Sequence, residues 1–335
     1  MRFIYTADLH LSLYSQDKII STTKLPERLH SLQTVLYNIS DYAHKNKINN
    51  IFFGGDIFHT KSIIHSLAQS VLLDYIRSNE DITFYVIDGN HDMSSRGISG
   101  ISSLKCLDNE KNVFMFHETK QIENILFIPW SNQMVDDIKN GTSEYLIAHF
   151  GLNEAELSSG ISIISDIRLS QLQNYKTCLL GHYHKPQEIG NIIYVGSPIQ
   201  LDWNEKNEEK RFLVIDTNKH NIESVLTTGY KKHFQLIITK ENKQDIIQES
   251  QKLVDDGHDV VLVKKENFDT DDINKDFRIV NKTQVDITNR GIDMSMSETE
   301  RFDRYLEIKE ISETKRIDYK TVGIDIVNSC SEVEL

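Results

Sequence analysis

Five short clusters of polar side chains in the first 184 residues carry groups able to hold a metal ion or move a proton. They are Asp8-Leu9-His10, Gly54-Gly55-Asp56, Gly89-Asn90-His91-Asp92, His149 and Gly181-His182-Tyr183-His184. Imidazoles, carboxylates and one amide make a mixed nitrogen and oxygen donor set without thiolate. Such a set suits manganese, iron or zinc better than calcium or magnesium. The groups outnumber the ligands one ion needs, so two ions sharing a bridging carboxylate is the economical reading. Each cluster alone is weak. Asp-x-His is mostly a turn or a cap, Gly-Gly-Asp a loop, His-x-His a solvated pair, and a single histidine such as His149 a satisfied core residue. Their weight comes from recurring in order, each just past an apolar run.

Those runs are the elements that must position the clusters. Arg2–Ala7, Asn50–Phe53 and Ile82–Asp88 read as strands. Leu25–Lys47 has apolar residues at helical spacing, from Leu29 and Leu32 to Ala43, and Ile64–Arg77 does likewise. The pattern is βαβαβ, which predicts parallel strands and right-handed crossovers. Loops beyond the carboxyl ends of such strands are where an open α/β sheet puts its chemistry. Farther on, Asn112–Phe116, Asn124–Pro129, Tyr145–His149, Thr177–Gly181, Asn191–Gly196, Arg211–Asp216 and Asn221–Leu226 look extended, with helices near Ser99–Leu107 and Asp166–Asn174. This proportion predicts two packed sheets with helices outside.

The pattern changes around Gly229–Lys232. His233–Thr239, Lys243–Asp255 and Asp259–Lys264 read as strand, helix and strand. Asp269–Asp276 is acidic and turn-rich. Ser297-Glu298-Thr299-Glu300 has the spacing of a capping box, opening a helix with Phe302, Tyr305 and Leu306 on one side. A second short amphipathic segment spans Glu313–Val327. The two are either the end of a core or a docking element. The expected division is 1–228 as the main domain, 229–268 as a small cap, 269–296 as connector or rest of the cap, and 297–335 as a helical partner-binding segment.

Composition narrows the class. In 335 residues, 39% hydrophobic and 26% charged content suit a globular protein of one large and one smaller domain. No apolar run approaches the roughly 18 to 20 residues of a membrane span, so no membrane partner is expected. Met1–Thr6 runs straight into a strand pattern without a signal-peptide layout. Cys106, Cys178 and Cys330 are odd in number and widely spaced, which points to a reducing cytoplasm, the host's if the source is viral. The net charge of −13 excludes a protein that grips nucleic acid through overall basicity. DNA would have to be met by a local basic patch, by bound metal or with a partner; the bland reading of the acidity is solubility.

The five clusters together resemble the signature of the calcineurin-like metallophosphoesterases. That resemblance implies a four-layer α-β-β-α sandwich with a dinuclear centre at the strand carboxyl ends. It implies Asp8, His10 and His184 on one ion, Asn90, His149 and His182 on the other, and Asp56 bridging. His91 would be the catalytic imidazole beside the leaving group, with Asp92 orienting it. Two neighbouring dications neutralise phosphate oxygens and acidify water, and an imidazole can protonate a poor alkoxide leaving group.

Within the superfamily, Gly54-Gly55-Asp56-Ile57-Phe58-His59 looks like the Gly-Asp-Leu/Ile-Phe-His element of the SbcD-type DNA repair and recombination exonucleases, and Gly196-Ser197-Pro198-Ile199 like their Gly-Ser-Pro turn. The order of core, small cap and terminal helices is similar too, in the compact form of phage-type subunits. This implies exonuclease action on duplex ends and endonuclease action on single-stranded or hairpin DNA, in recombination, repair or replication. It implies two manganese ions, with magnesium, iron or zinc as alternatives. The implied partners are an SbcC-type ATPase with long coiled coils and a second copy, a homodimer within a heterotetramer. His59, Lys61 and Arg96 are candidate substrate contacts, with Lys185, Lys231 and Lys232 as further rim cations. The rival reading is a phosphatase or phosphodiesterase acting on small-molecule or protein phosphate esters.

Overall fold

The computed structural model describes residues 1–281 apart from 62, 95–99, 162–163, 267, 271–272 and 274–276; the expected helices within 297–335, and Arg96, lie outside the described residues. Two six-stranded sheets dominate. The first has β1 (Arg2–Thr6), β2 (Asn50–Phe53), β3 (Thr83–Ile87) and β4 (Val113–Phe116) side by side and parallel. Two antiparallel strands complete it beyond β1. The second has β6 (Ile125–Ile128), β7 (Tyr145–His149), β8 (Thr177–Gly181) and β10 (Ile192–Tyr194) parallel, edged by antiparallel β5 (Lys120–Ile122) and β9 (Gln187–Ile189). The strands completing the first sheet are β11 (Arg211–Asp216) and β12 (Asn221–Leu226), in the order β12-β11-β1-β2-β3-β4.

Alternation along the strands makes the layers. Phe3 and Tyr5 of β1, Tyr145 and Ile147 of β7, and Leu179 of β8 belong to one buried cluster shared by the two sheets. Ile4, the residue between Phe3 and Tyr5, packs instead with Leu29, Leu32, Val35, Leu36 and Ile39 of α1 (Glu27–Lys45) and with Val71, Leu72 and Ile76 of α2 (Ser66–Ser78). A step of one residue moves a side chain to the other face of a strand. On the far side, Leu146 and Leu180 pack with Met134 and Ile138 of α3 (Met134–Asn140). Helix, sheet, sheet, helix is therefore the layer order, as expected. The helical stripe on α1 explains why that segment is a helix. Burying each of its leucines removes apolar surface that stabilises the fold by about 1.5–3 kcal/mol.

The helices expected near Ser99–Leu107 and Asp166–Asn174 are shorter than read. Each is only a 3-10 turn, Ser103–Leu107 and Leu169–Leu172. Helix α3 and edge strands β5 and β9 carry too little periodicity to be read from residue type. A third sheet contains β13 (His233–Ile238), β14 (Asp259–Lys264) and β15 (Arg278–Asn281), with α4 (Lys243–Asp255) between the first two in sequence. Two compact units result. One contains Met1–Gln235 and Leu253–Asp259, the other Leu236–Lys252 and the described residues from Val260. Among the described residues no helix is long and apolar enough to cross a membrane.

Candidate metal centre

The polar clusters sit where the parallel strands end. Beyond β1 and β2 the two chains stay paired through their loops. Asp8 donates its N–H to the Gly55 carbonyl at 3.0 Å and His10 to that of Asp56 at 3.0 Å, and a parallel bridge joins Leu11 to Phe58. This pairing holds Asp8 (φ 57°), His10 (φ 48°) and Asp56 (φ 52°) in the left-handed region, as is His182 (φ 103°). Such conformations cost of order 1–3 kcal/mol each and persist only where surrounding contacts over-determine them. Five other described non-glycine residues share the left-handed region (Lys24, Lys47, Glu123, Asn207 and His220), so what distinguishes these four is that they gather at one place and are metal-ligand candidates.

Asp92 supplies much of that over-determination. It is fully buried, and its carboxylate accepts N–H groups from Gly89 at 2.9 Å, Phe58 at 3.1 Å and Ile57 at 3.3 Å. The carboxylate meets the backbone of two loops rather than the His91 ring it is expected to orient. The His91 ring is held instead by His59, whose carbonyl accepts from Nδ1 at 2.6 Å. Burial, with Asp56 and Asp88 nearby, pushes the Asp92 carboxyl well up, against the pull of its N–H donors. Gly89 must be glycine, because a Cβ there would overlap the amide nitrogen and carboxylate of Asp56.

The two sheets meet at the site through reciprocal bonds. Asp8, from the first sheet, accepts the His182 N–H at 2.9 Å. His149, from the second, donates Nδ1–H to the Gly54 carbonyl at 2.8 Å. Three triads then have ligand atoms within 4.8 Å of one another: Asp8, His10 and His184; Asp56, His149 and His182; and His10, His59 and His91. Asn90 joins the second triad, its Oδ1 lying 3.1 Å from His149 Nε2 and 2.9 Å from His182 Nδ1. Asp56 Oδ2 lies 3.5 Å from His10 Nε2 and 3.3 Å from His149 Nε2, so one carboxylate faces both triads of the expected dinuclear set. Its Oδ1 accepts the His91 backbone N–H at 2.8 Å.

The donor set fits bound cations. A carbonyl only accepts, so the proton of a neutral His149 sits on Nδ1, toward Gly54. Its Nε2 then turns a lone pair on two further acceptors, Asn90 Oδ1 and Asp56 Oδ2. Without an ion, a second proton on the ring relieves that clash, as would an Asn90 amide turned to present its NH2 group. The ring's pKa accordingly stands at about 9: burial works against the charge, but Asp56 and Asp8 outweigh it. A bound dication would do the same work. For Asp56 burial also opposes ionisation, yet His149, His10 and His91 hold its carboxyl well below the usual range. Burial pushes Asp8 up, partly offset by His149 and His184. It pushes His10 well down and His182 to about 3, which keeps both rings neutral and able to ligate.

His184 is supported differently. Its Nδ1 lies 2.8 Å from the buried Glu205 carboxylate, which also pairs with buried Lys210 at 2.8 Å. Burial raises the Glu205 pKa, but His184 and Lys210 bring it to about 2. Neither Glu205 nor Lys210 is visible as a site residue in sequence, because Asn204–Lys210 reads as a solvated charge run. Trp130, whose ring stacks on His182 at 6.1 Å, is missed for the same lack of a local signal.

The expected substrate contacts are less uniform. His59 is half-buried, its Nδ1 3.2 Å from His10 Nδ1, so it belongs to the cluster itself. Burial and the neighbouring His91 lower its pKa. Lys61 is exposed. Lys185 is paired with Glu156 at 2.8 Å and Lys231 with Asp259 at 2.9 Å, while Lys232 lies over the Tyr230 ring at 5.8 Å.

Comparison with known proteins agrees with this geometry. The chain is similar to exonuclease subunit 1 of Enterobacteria phage T4, 23% identical over 237 residues that cover 67% of each chain. It is similar to the SbcD component of nuclease SbcCD of Staphylococcus epidermidis, 24% identical over 293 residues and 76% of each chain. A DNA double-strand break repair protein Mre11 of Archaeoglobus fulgidus is 21% identical over 275 residues, 71% of this chain and 57% of that one. A calcineurin-like phosphoesterase family model matches residues 1–262. With that match spanning every strand-end cluster, the chain belongs to the calcineurin-like phosphoesterases, enzymes built around a dinuclear metal centre.

Proposed function

We propose that this chain is the nuclease subunit of a DNA repair or recombination complex, hydrolysing phosphodiester bonds with two manganese ions. The observation that carries the proposal is the meeting of the Asp8-His10-His184 and His149-His182 groups at Asp56, with the His91 ring pinned beside them. Asp8, His10 and His184 would hold one ion, Asn90, His149 and His182 the other, and Asp56 both. When bound, the ions supply charge neutralisation at phosphate and a water acid enough to attack it. The side chains do the rest. Asp92 keeps the Gly54–Phe58 and Gly89–Asp92 loops in register. The His59 carbonyl fixes the His91 proton on Nδ1, which leaves Nε2 as the position from which a second proton passes to the leaving alkoxide.

The DNA substrate is supported by the names of the relatives, an exonuclease subunit, a nuclease subunit and a double-strand break repair protein. On this reading the chain degrades duplex ends and nicks single-stranded or hairpin DNA, working as a dimer with an SbcC-type ATPase in the cytoplasm. The ATPase would also supply positive charge that a chain of net charge −13 lacks. Lys61 and Arg96 remain the proposed rim contacts, residues 229–268 the core of the cap, 269–296 a connector or the rest of the cap, and 297–335 the ATPase-binding segment.

The test is incubation of linear duplex DNA with the full-length protein and manganese, with and without its ATPase partner. The wild type should shorten the duplex, and His91→Ala should do so about 10²–10⁴-fold more slowly while keeping its metal. Intact DNA under every condition, alongside rapid turnover of a small aryl phosphate, would replace the nuclease reading with the phosphatase one.

A further inference from the structure

Glu205 is 2% exposed and closes the short turn Trp203–Glu205, outside the sequence clusters that define the site. Both of its oxygens are engaged. One oxygen accepts from His184 Nδ1 at 2.8 Å; the other takes Ser197 Oγ and Leu201 N–H at 3.0 Å each, and faces Lys210 Nζ at 2.8 Å. The ammonium of Lys210 is buried as well. It donates to the His184 carbonyl at 2.8 Å and to Glu208 at 2.7 Å. His184 is therefore gripped twice, by a carboxylate at its ring and an ammonium at its main chain.

A buried ion pair seldom stabilises a fold more than apolar residues of the same volume would, so stability alone does not account for this one. Its geometry does. A carboxylate has no proton to give, so Nδ1 of His184 carries it and Nε2 presents a lone pair. That Nε2 lies 3.0 Å from His10 Nε2, in the triad with Asp8. An anionic partner also makes an imidazole a stronger ligand. The corresponding support in the other triad is weaker, since His149 Nδ1 is held by the neutral Gly54 carbonyl.

We propose that Glu205, balanced by Lys210, is a positioning residue that fixes the tautomer and aim of His184 and makes the ion position of Asp8, His10 and His184 the tighter of the two. The inference rests on the dinuclear reading above. Manganese titration of the full-length protein, followed by the paramagnetic resonance of the free ion, separates the two. Wild type should bind two ions with distinct affinities. In Glu205→Gln the tighter ion should weaken by about ten- to a hundred-fold while the weaker one stays in place. Unchanged affinities, or equal weakening of both ions, would overturn the inference and leave the dinuclear centre standing. Fewer than two ions on the wild type would overturn the dinuclear reading itself. Nitrogen-15 resonances of wild-type histidines give a second check that needs no variant. His184 should keep its proton on Nδ1 with and without diamagnetic zinc, and a metal-bound Nδ1 would overturn the assignment.

Discussion

The two sheets bring different things to the seam between them. The first contributes carboxylates and an amide along with His10, His59 and His91, on loops whose left-handed residues are fixed by main-chain bonds and by Asp92. The second contributes only imidazoles, and side chains or a single carbonyl hold them: Glu205 at His184, Asn90 at His182, Gly54 at His149. One side is therefore stiff because its backbone is over-determined. The other is more tunable at its rings, because one contact sets the aim of each: a side chain at His184 and His182, the Gly54 carbonyl at His149. Asp56 is the point where the sides meet.

The largest effect should come from breaking that point. Asp56→Asn should lose both metal and turnover, read by metal content and DNA cleavage on one sample; retention of both ions would show that the two sides do not share this carboxylate. His91→Ala comes next, on the stiff side but outside the expected ligand set. It should cost about 10²–10⁴ in rate with metal content unchanged, so metal loss would move His91 into the ligands. Asp92→Asn attacks the stiffness itself. Replacing the buried carboxyl that accepts three N–H bonds should destabilise the fold by about 1–3 kcal/mol in thermal melts. A neutral result would mean that the loops hold their strain without it.

The smallest effect concerns pH. His117 bridges Asp88, at the end of β3, at 2.6 Å and Asp108 at 2.9 Å. The Asp88 hydrogen bond, opposed by burial, brings its pKa to about 9, above an ordinary value of about 6.5. The folded chain therefore holds this proton more tightly than the unfolded chain. Its stabilisation is complete below about pH 6.5 and is lost as pH rises through about 9. His117→Gln should flatten that part of the melting-temperature profile, and an unaltered slope would remove His117 from the account.

Much of this seam is legible in the sequence, for a physical reason. Strands buried on both faces are apolar runs, so an Asp or His directly after one stands out, as Asp8, Asp56 and His149 do. The helical stripe of Leu29–Ala43 is equally plain. What is not legible is partner choice at long range. Asp92 looks like a neighbour for His91 but bonds to Ile57 and Phe58, more than thirty residues away. Glu205 and Lys210 sit in a stretch of Lys, Asn and Glu that reads as surface, and only the folded chain shows them buried under His184. Short edge strands such as β5 and β9 have too few residues for a period to show.

The most direct test of a shared centre is anomalous diffraction from crystals of the full-length protein soaked in manganese. The account predicts two peaks, one touched by Asp8, His10 and His184, the other by Asn90, His149 and His182, with Asp56 reaching both. A single peak, or two peaks with Asp56 touching neither, would contradict it.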